Sequence, residues 1–193
     1  MQAFQYAASI VLFAMFVLTV LIRAALLWRR EIRVIVFGAT DKSDFLLIPF
    51  VLAIVYTSLA NVFHLPLWEP LVRPFWESAV PGWIGLGFSA AAVASLGATL
   101  ISFGNSFRVG IDEKKPDRLV TSGMFGISRN PIYVCFDAFF TGLFLVHKNS
   151  VILVAAIAFA LLIHRQILRE EKFLRAHYGA EYEDYCKKVR RYL

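Results

Sequence analysis

Five stretches of the chain are strongly apolar and nearly free of charge. They cover residues 6–28, 45–68, 80–107, 131–146 and 150–163. A helix needs about 20 residues to cross a bilayer, and each of the first three stretches has at least that length. The last two are shorter and are joined only by His147, Lys148 and Asn149. They predict either a tight helical hairpin or helices whose ends extend into flanking segments. We therefore predict an all-α integral membrane protein with five transmembrane helices; four spans and a re-entrant hairpin form the alternative.

The third stretch is rich in small residues, including Ser89, Ala90, Ala91 and the pair Gly97-Ala98. Small side chains let helix backbones approach closely in lipid. This stretch is therefore predicted to be the central packing helix of the bundle.

The end of the chain has a different pattern. Tyr182, Tyr185, Val189 and Tyr192 recur at three- and four-residue spacing, with lysines and arginines between them. This period predicts a C-terminal amphipathic helix, which we expect to lie on an anionic cytoplasmic leaflet.

Composition excludes an ordinary soluble domain, because 59% of the 193 residues are hydrophobic and only 18% are charged. The net charge of +6 follows from topology and does not indicate nucleic-acid binding. Of the 20 lysines and arginines, 17 lie in the first loop, in the third loop or after the last apolar stretch. With five spans, the positive-inside rule places the N-terminus outside and the C-terminus in the cytoplasm. We predict one multi-pass domain over 1–193, with scaffold helices in 1–100 and the cofactor-binding and catalytic part in 101–193.

Several kinds of site are not indicated by the sequence. Cys135 and Cys186 are too few and too far apart for a disulfide framework, and both are expected to be free thiols. The four histidines are scattered singly, so no metal site is predicted. The glycines of 82–87 lie in a helix-like stretch, unlike those of a phosphate-binding loop that follows a strand.

Polar residues that could carry chemistry lie between the third stretch and the end of the fifth. Thr121-Ser122-Gly123 predicts a turn, and Arg129-Asn130 precedes a helix that begins at Pro131. The free N–H groups of that helix start, together with Arg129, could hold a carboxylate. Asp137 lies inside an apolar stretch and is either functional or an ion partner of Arg129. The pair Glu170-Glu171 and the neighbouring arginines form either a solvated charge network or part of a site.

Three motifs in this region resemble those of the isoprenylcysteine carboxyl methyltransferases and the related phospholipid methyltransferases. They are Arg-Asn-Pro-Ile-Tyr at 129–133, the preceding Leu-Val-Thr-Ser-Gly-Met-Phe at 119–125, and the Glu-Glu pair with the segment that follows it at 170–182. The family pattern is Arg-His-Pro-x-Tyr followed, after a hydrophobic stretch, by Glu-Glu and Phe/Tyr-Gly-x-x-Tyr. The resemblance covers about residues 100–192, and the short chain is typical of a prokaryotic or archaeal member.

The resemblance implies a membrane enzyme that uses S-adenosylmethionine, with S-adenosylhomocysteine as product, and has no dinucleotide-type domain. It implies that the cofactor is held by the segment before the glycine turn, the aromatic residue after it, the Asn-Pro-Ile-Tyr element and the first glutamate of the pair. With Arg129 added for the carboxylate, the predicted cofactor residues are Asp117, Arg118, Leu119, Val120, Phe125, Arg129, Asn130, Pro131, Ile132, Tyr133 and Glu170.

The chain departs from the family pattern at three positions. Asn130 stands where the family has histidine, and Phe125 where it has tyrosine. Because asparagine cannot titrate, position 130 is expected to bind rather than to transfer protons. Gln166 stands where the resemblance implies a substrate arginine, so that role passes to Arg165 or Arg169.

The expected reaction is methyl transfer to the α-carboxylate of a prenylated cysteine, or to a similar lipophilic acceptor that enters sideways from the membrane lipids. A carboxylate is already ionised at neutral pH, so no general base and no catalytic residue are predicted. An amine acceptor on a phospholipid would need deprotonation, for which Glu171 or Asp137 is available. Two other classes remain open: an NADPH-dependent sterol-type reductase and a non-catalytic scaffold or small transporter.

Overall fold

The computed structural model describes residues 1–29, 47–104 and 119–193, and the regular elements within these ranges are all helical. This confirms the all-α prediction. A 3-10 turn at Gly123–Gly126 precedes α5. The α-helices of the described ranges are α1 (Gln2–Trp28), α2 (Leu47–Phe63), α3 (Glu69–Val72), α4 (Val80–Phe103), α5 (Pro131–His147), α6 (Ser150–Tyr178) and α7 (Ala180–Lys188).

Three of these helices, α1, α4 and α6, are long and apolar enough to cross a membrane. The apolar helices α2 and α5 have 17 residues each. That length spans about 25 Å, a little less than the roughly 30 Å of hydrocarbon in a bilayer. Five spans therefore remain a prediction. The fifth apolar stretch is the first part of the 29-residue helix α6, which continues into a polar segment. This agrees with the second of the two sequence predictions, in which the ends of the short stretches extend into flanking segments.

The long helices alternate in direction. The Gln5 side chain donates to the carbonyl of Ala79 (2.9 Å) and joins the starts of α1 and α4, while Arg23 donates to the carbonyl of Gly104 near their ends. His147, the last residue of α5, contacts Ser9 near the start of α1 and Asn61 near the end of α2. Helices α1 and α4 therefore run one way, and α2 and α5 run the other.

Close packing between α4 and α5 depends on small residues. A Cβ atom added at Gly142 would lie 2.3 Å from Ser89 Oγ and 2.6 Å from the carbonyl oxygen of Gly85. Within the described ranges α4 packs most extensively against α5 and next against α1. The prediction that the small-residue stretch forms the central packing helix is confirmed.

Aromatic side chains fill the core between α1, α5 and α6. Phe16 stacks on Phe139 with 4.4 Å between ring centroids, and Phe140 meets Phe159 edge to face at the same distance. All four rings are buried. This core fixes the rotation of α5 and α6, and with it the directions of the polar side chains at their other ends.

A buried polar network lies at the opposite end of the bundle from the motifs. Ser9 Oγ donates to the carbonyl of Tyr6 and so accepts from Nε2 of His147 (3.1 Å). The Asn61 amide donates to Nδ1 of the same ring (3.0 Å). His147 thus has a partner on each ring nitrogen, which describes a satisfied structural histidine.

The predicted C-terminal amphipathic helix is present as α7, but the prediction that its apolar face lies on a membrane leaflet is wrong. Tyr182 and Tyr185, which form its apolar face, are buried in the protein instead of facing a leaflet. Gly179 (φ 53°) ends α6 and turns the chain so that α7 packs against the protein. The Tyr185 hydroxyl then donates to the carbonyl of Phe125 (2.7 Å).

Candidate functional site

The predicted glycine turn forms and is attached to the end of α4. Gly123 has a φ of 63°, in the left-handed region, and a Cβ atom there would lie 2.4 Å from Ser102 Oγ. The amide of Met124 donates to the same Ser102 oxygen (3.2 Å). The turn therefore requires glycine for both its backbone conformation and its close approach to α4.

Tyr133 on α5 and Glu170 on α6 are in direct contact. The Tyr133 hydroxyl donates to Oε1 of Glu170 (2.6 Å), and Gln166, one turn earlier on α6, donates to the same oxygen (2.9 Å). Arg169 donates to Oε1 of Gln166. The structure thus joins two predicted cofactor residues and one of the two predicted substrate arginines in one hydrogen-bonded group.

Glu171 belongs to a second, separate group. Its carboxylate is 2% exposed and pairs with Arg129 (3.1 Å) and, through both oxygens, with Arg191 (3.0 and 2.8 Å). This interaction raises the pKa of Arg191. Two guanidinium groups keep Glu171 ionised, so the carboxylate is poorly suited to serve as the general base considered for an amine acceptor.

The C-terminal segment, residues 185–192, holds the loop that precedes α5. The Arg129 amide donates to the carbonyl of Arg190 (2.9 Å), and the side chains of Ser128 and Asn130 both donate to the carbonyl of Arg191 (3.2 and 3.1 Å). The Arg129 guanidinium also donates to the carbonyls of Cys186 and Val189. Burial raises the pKa of Tyr185 to about 12, so its phenol stays a donor to this loop at neutral pH.

The arrangement changes the expected positions of Arg129 and Asn130. Both side chains are directed to the C-terminal segment, and Arg129 is bonded to Glu171 rather than to the group around Glu170. From the sequence alone, Arg190 and Arg191 are predicted to be part of a charged helix face. The only local signal for the role of Arg191 was its place beside Tyr192 in a periodic pattern.

The other predicted residues have varied surroundings. Phe125 is buried and meets Phe103 edge to face at 4.7 Å. Pro131 is the first residue of α5 and is buried. Leu119, Val120 and Ile132 are half-buried, whereas Arg165 is exposed. Asp117 and Arg118 lie outside the described residues.

Asp137 lies on α5 four residues after Tyr133 and is half-buried. Its predicted alternative partner, Arg129, pairs with Glu171 instead. The Tyr192 hydroxyl lies 2.6 Å from Nδ1 of His164 on α6. Burial raises the pKa of Tyr192, and the negative charge of Asp137 raises it further.

Comparison with known proteins gives two findings. A family model described as phospholipid methyltransferase matches residues 79–181, which is more than half of the chain and includes the contact between Tyr133 and Glu170. The chain is also 28% identical over 130 residues to the nickel-cobalt-cadmium resistance protein NccN of Alcaligenes xylosoxydans xylosoxydans. That alignment covers 64% of this chain and 61% of the relative. Within the described ranges, no three His, Cys, Asp or Glu side chains are grouped as metal ligands would be.

Proposed function

The chain belongs to the phospholipid methyltransferase family, and we propose that it is a membrane methyltransferase that transfers the methyl group of S-adenosylmethionine to a lipophilic acceptor. The observation that carries the proposal is the contact between Tyr133 and Glu170, which joins the two motifs of the family pattern at one point. The acceptor reaches this point from the bilayer, between the helices.

The residues around Glu170 fit the charged parts of this cofactor. Glu170 is half-buried, and two donors on one oxygen fix the direction of its carboxylate, which suits an ammonium group. Leu119 and Val120 offer half-buried apolar surface for the uncharged part. When bound, S-adenosylmethionine would supply an electrophilic methyl carbon on a sulfonium, whose sulfur is a good leaving group because it departs as a neutral thioether. The protein has to hold, align and shield the reacting groups from water.

Arg129 and Asn130 support this site indirectly in the proposal. Their bonds to the C-terminal segment hold the loop between Phe125 and Pro131, whose far end leads into Tyr133. Of the two arginines predicted for the substrate, Arg169 is the better candidate, since Gln166 links it to Glu170 while Arg165 is exposed.

The first candidate acceptor is the carboxylate of a prenylated cysteine. This nucleophile is ionised at neutral pH and needs no base. The ion pairs of Glu171 with Arg129 and Arg191 support a carboxylate acceptor, because they leave this acid poorly suited to act as a base. Arg169 would hold the carboxylate in line with the methyl carbon, at an approach of about 3–3.5 Å.

The second candidate acceptor is the amine of a phospholipid. The description of the matching family favours it. This acceptor needs a group that removes a proton, and with Glu171 occupied, Asp137 is the remaining acid of the two that the sequence suggested.

We also propose the five-span topology, with the N-terminus outside and the site and C-terminus at the cytoplasmic face. The alternation of the long helices supports it, and so does the collection of 17 of the 20 basic residues in alternate loops. Large apolar side chains on α1, among them Leu18, Leu21 and Ile22, are each more than half exposed and suit contact with lipid.

The decisive experiment measures cofactor binding by calorimetry in detergent. Glu170→Ala is expected to weaken S-adenosylhomocysteine binding at least about tenfold, because a charge-assisted hydrogen bond contributes about 1.5–3 kcal/mol. Glu181→Ala, which removes an exposed acid on α7, is the matched control and should bind like the wild type. Equal affinity in the Glu170 variant, with its helix content and thermal midpoint retained, would contradict the proposal.

The same preparation separates the alternatives. Transfer of label from S-adenosylmethionine to a farnesylcysteine analogue, released as methanol by base, supports the carboxylate acceptor. Transfer to phosphatidylethanolamine alone supports the amine. Binding of NADPH in place of S-adenosylhomocysteine would indicate a reductase, and binding of neither would favour a scaffold or transporter.

A further inference from the structure

Asp137 is the acidic residue of the apolar helix α5. Within the described ranges it forms no ion pair or hydrogen bond, and its electrostatic effect is on Tyr192. The arginine nearest to it along the chain, Arg129, is bonded to Glu171. An ionisable side chain inside a membrane helix is costly and generally marks a functional position.

The position of Asp137 relates it to the proposed cofactor site. It follows Tyr133 by four residues on α5, so the two side chains share one side of the helix about 6 Å apart along its axis. Tyr133 is bonded to Glu170. Because α5 leads away from the motif loop into the apolar bundle, Asp137 lies one turn farther along α5 than Tyr133.

The negative charge of Asp137 acts on Tyr192, whose hydroxyl is paired with His164. The Tyr192 hydroxyl and the His164 ring are within hydrogen-bond distance (2.6 Å). His164 is exposed on α6, and the exposed Leu161 and Leu168 lie three residues before it and four after it, on the same face. The other charged groups near Tyr192 are Glu171 and Arg191, which are paired with each other.

These features select the chemistry of the ligand. A carboxylate attracts an ammonium group and repels an anion. Exposed leucines along the same helix face suit an acyl chain. A lipid with a primary or secondary amine provides both the ammonium group and the acyl chain. A prenylated cysteine would instead bring its own carboxylate close to Asp137, and the two negative charges would repel each other.

We propose that Asp137 binds the ammonium group of an amine-bearing lipid acceptor and takes its proton. In this step one N–H bond breaks, an O–H bond forms on the Asp137 carboxylate, and the nitrogen keeps the electron pair with which it becomes a nucleophile. The inference rests on the proposed methyltransferase function and chooses the second of the two acceptors.

The test compares Asp137→Asn with the wild type in nanodiscs that contain phosphatidylethanolamine in a phosphatidylcholine background. At pH 7 the variant should transfer methyl groups to phosphatidylethanolamine at least about a hundredfold more slowly, as expected for loss of a general base. S-Adenosylhomocysteine affinity should not change. The deficit should narrow at pH 9.5, because the lipid amine then loses its proton to water without help. Asp184→Asn, which removes an exposed acid paired with Lys187, is the control and should behave like the wild type.

A second readout does not depend on turnover. Native mass spectrometry should find that the wild type retains phosphatidylethanolamine in preference to phosphatidylcholine, whose quaternary amine has no proton to give, and that Asp137→Asn loses this preference. Asp137→Glu, which keeps the carboxylate, should retain part of both properties and so controls for folding. Equal rates and equal lipid retention in Asp137→Asn and the wild type would overturn the inference. Normal cofactor binding with transfer only to farnesylcysteine would also overturn it, while leaving the proposed function intact.

Discussion

Glu170 and Glu171 are neighbours in the chain but have different partners, because consecutive residues of a helix point about 100° apart. Glu170 receives bonds from Tyr133 and Gln166 and is half-buried. Glu171 is almost fully buried between Arg129 and Arg191. One acid is thus directed to the proposed cofactor position, and the other connects three parts of the chain.

This difference predicts opposite effects of two conservative substitutions. Glu171→Gln leaves two guanidinium groups without their counter-charge, and removal of one member of a buried ion pair generally costs about 3–5 kcal/mol. Thermal or denaturant unfolding in detergent should therefore show a large loss of stability in this variant. Glu170→Gln should lose cofactor affinity with little change in unfolding. Equal unfolding midpoints for Glu171→Gln and the wild type would contradict the assigned role.

At the level of single residues, the sequence could predict contacts that belong to a motif. The meeting of Tyr133 with Glu170 follows the family pattern. The pairing of Arg129 with Glu171 does not, because it joins positions 42 residues apart and depends on how α5 and α6 pack. For the same reason the sequence left open whether Asp137 is functional or an ion partner of Arg129. The pairing of Arg129 with Glu171 argues against the second interpretation.

At the level of elements, apolar stretches mark the membrane part of a helix better than they mark its ends. The fifth stretch ends at 163, but α6 continues to Tyr178 because the residues that follow, mainly Arg, Gln, Glu, Lys and Leu, are good helix formers. The helix stops at Gly179, whose positive φ suits a turn. The charged second half of α6 can therefore carry Gln166, Arg169 and Glu170 on one rigid element.

The contact between α4 and α5 allows a prediction with a matched control. Gly142→Ala places a methyl group within 2.3 Å of Ser89 Oγ and against the backbone of Gly85, and overpacking of this kind generally costs about 1–3 kcal/mol. Gly97→Ala adds the same group to α4 where nothing lies within 4 Å, and it should be neutral or slightly stabilising. Unfolding measured in detergent should separate the two variants. Similar stability in both would mean that the two helices are not in close contact.

At the level of the whole molecule, the C-terminal segment holds the loop that leads into the proposed site. The C-terminal segment contacts the loop before α5 through backbone and side-chain bonds and contacts α6 through Arg191. The sequence predicted an amphipathic helix here, but a pattern of tyrosines every three or four residues does not say whether a membrane or the protein covers them. The buried Tyr182 and Tyr185 answer that question in favour of the protein.

Two adjacent arginines provide the test of this arrangement. Arg191→Ala removes both bonds to Glu171 and should lower stability by about 1.5–3 kcal/mol and cofactor affinity with it, because the loop before α5 loses an anchor. Arg190→Ala is the control, since the Arg190 side chain is exposed and its backbone carbonyl, which accepts from Arg129, remains. Arg191→Lys should recover only part of the loss, because an ammonium group cannot make the bidentate contact.

A double-mutant cycle makes the test specific to the pair. If Arg191 acts through Glu171, the combination of Arg191→Ala with Glu171→Gln should cost clearly less than the sum of the two single changes. Additive losses would show that Arg191 acts elsewhere. The C-terminal segment would then hold the loop through backbone bonds alone.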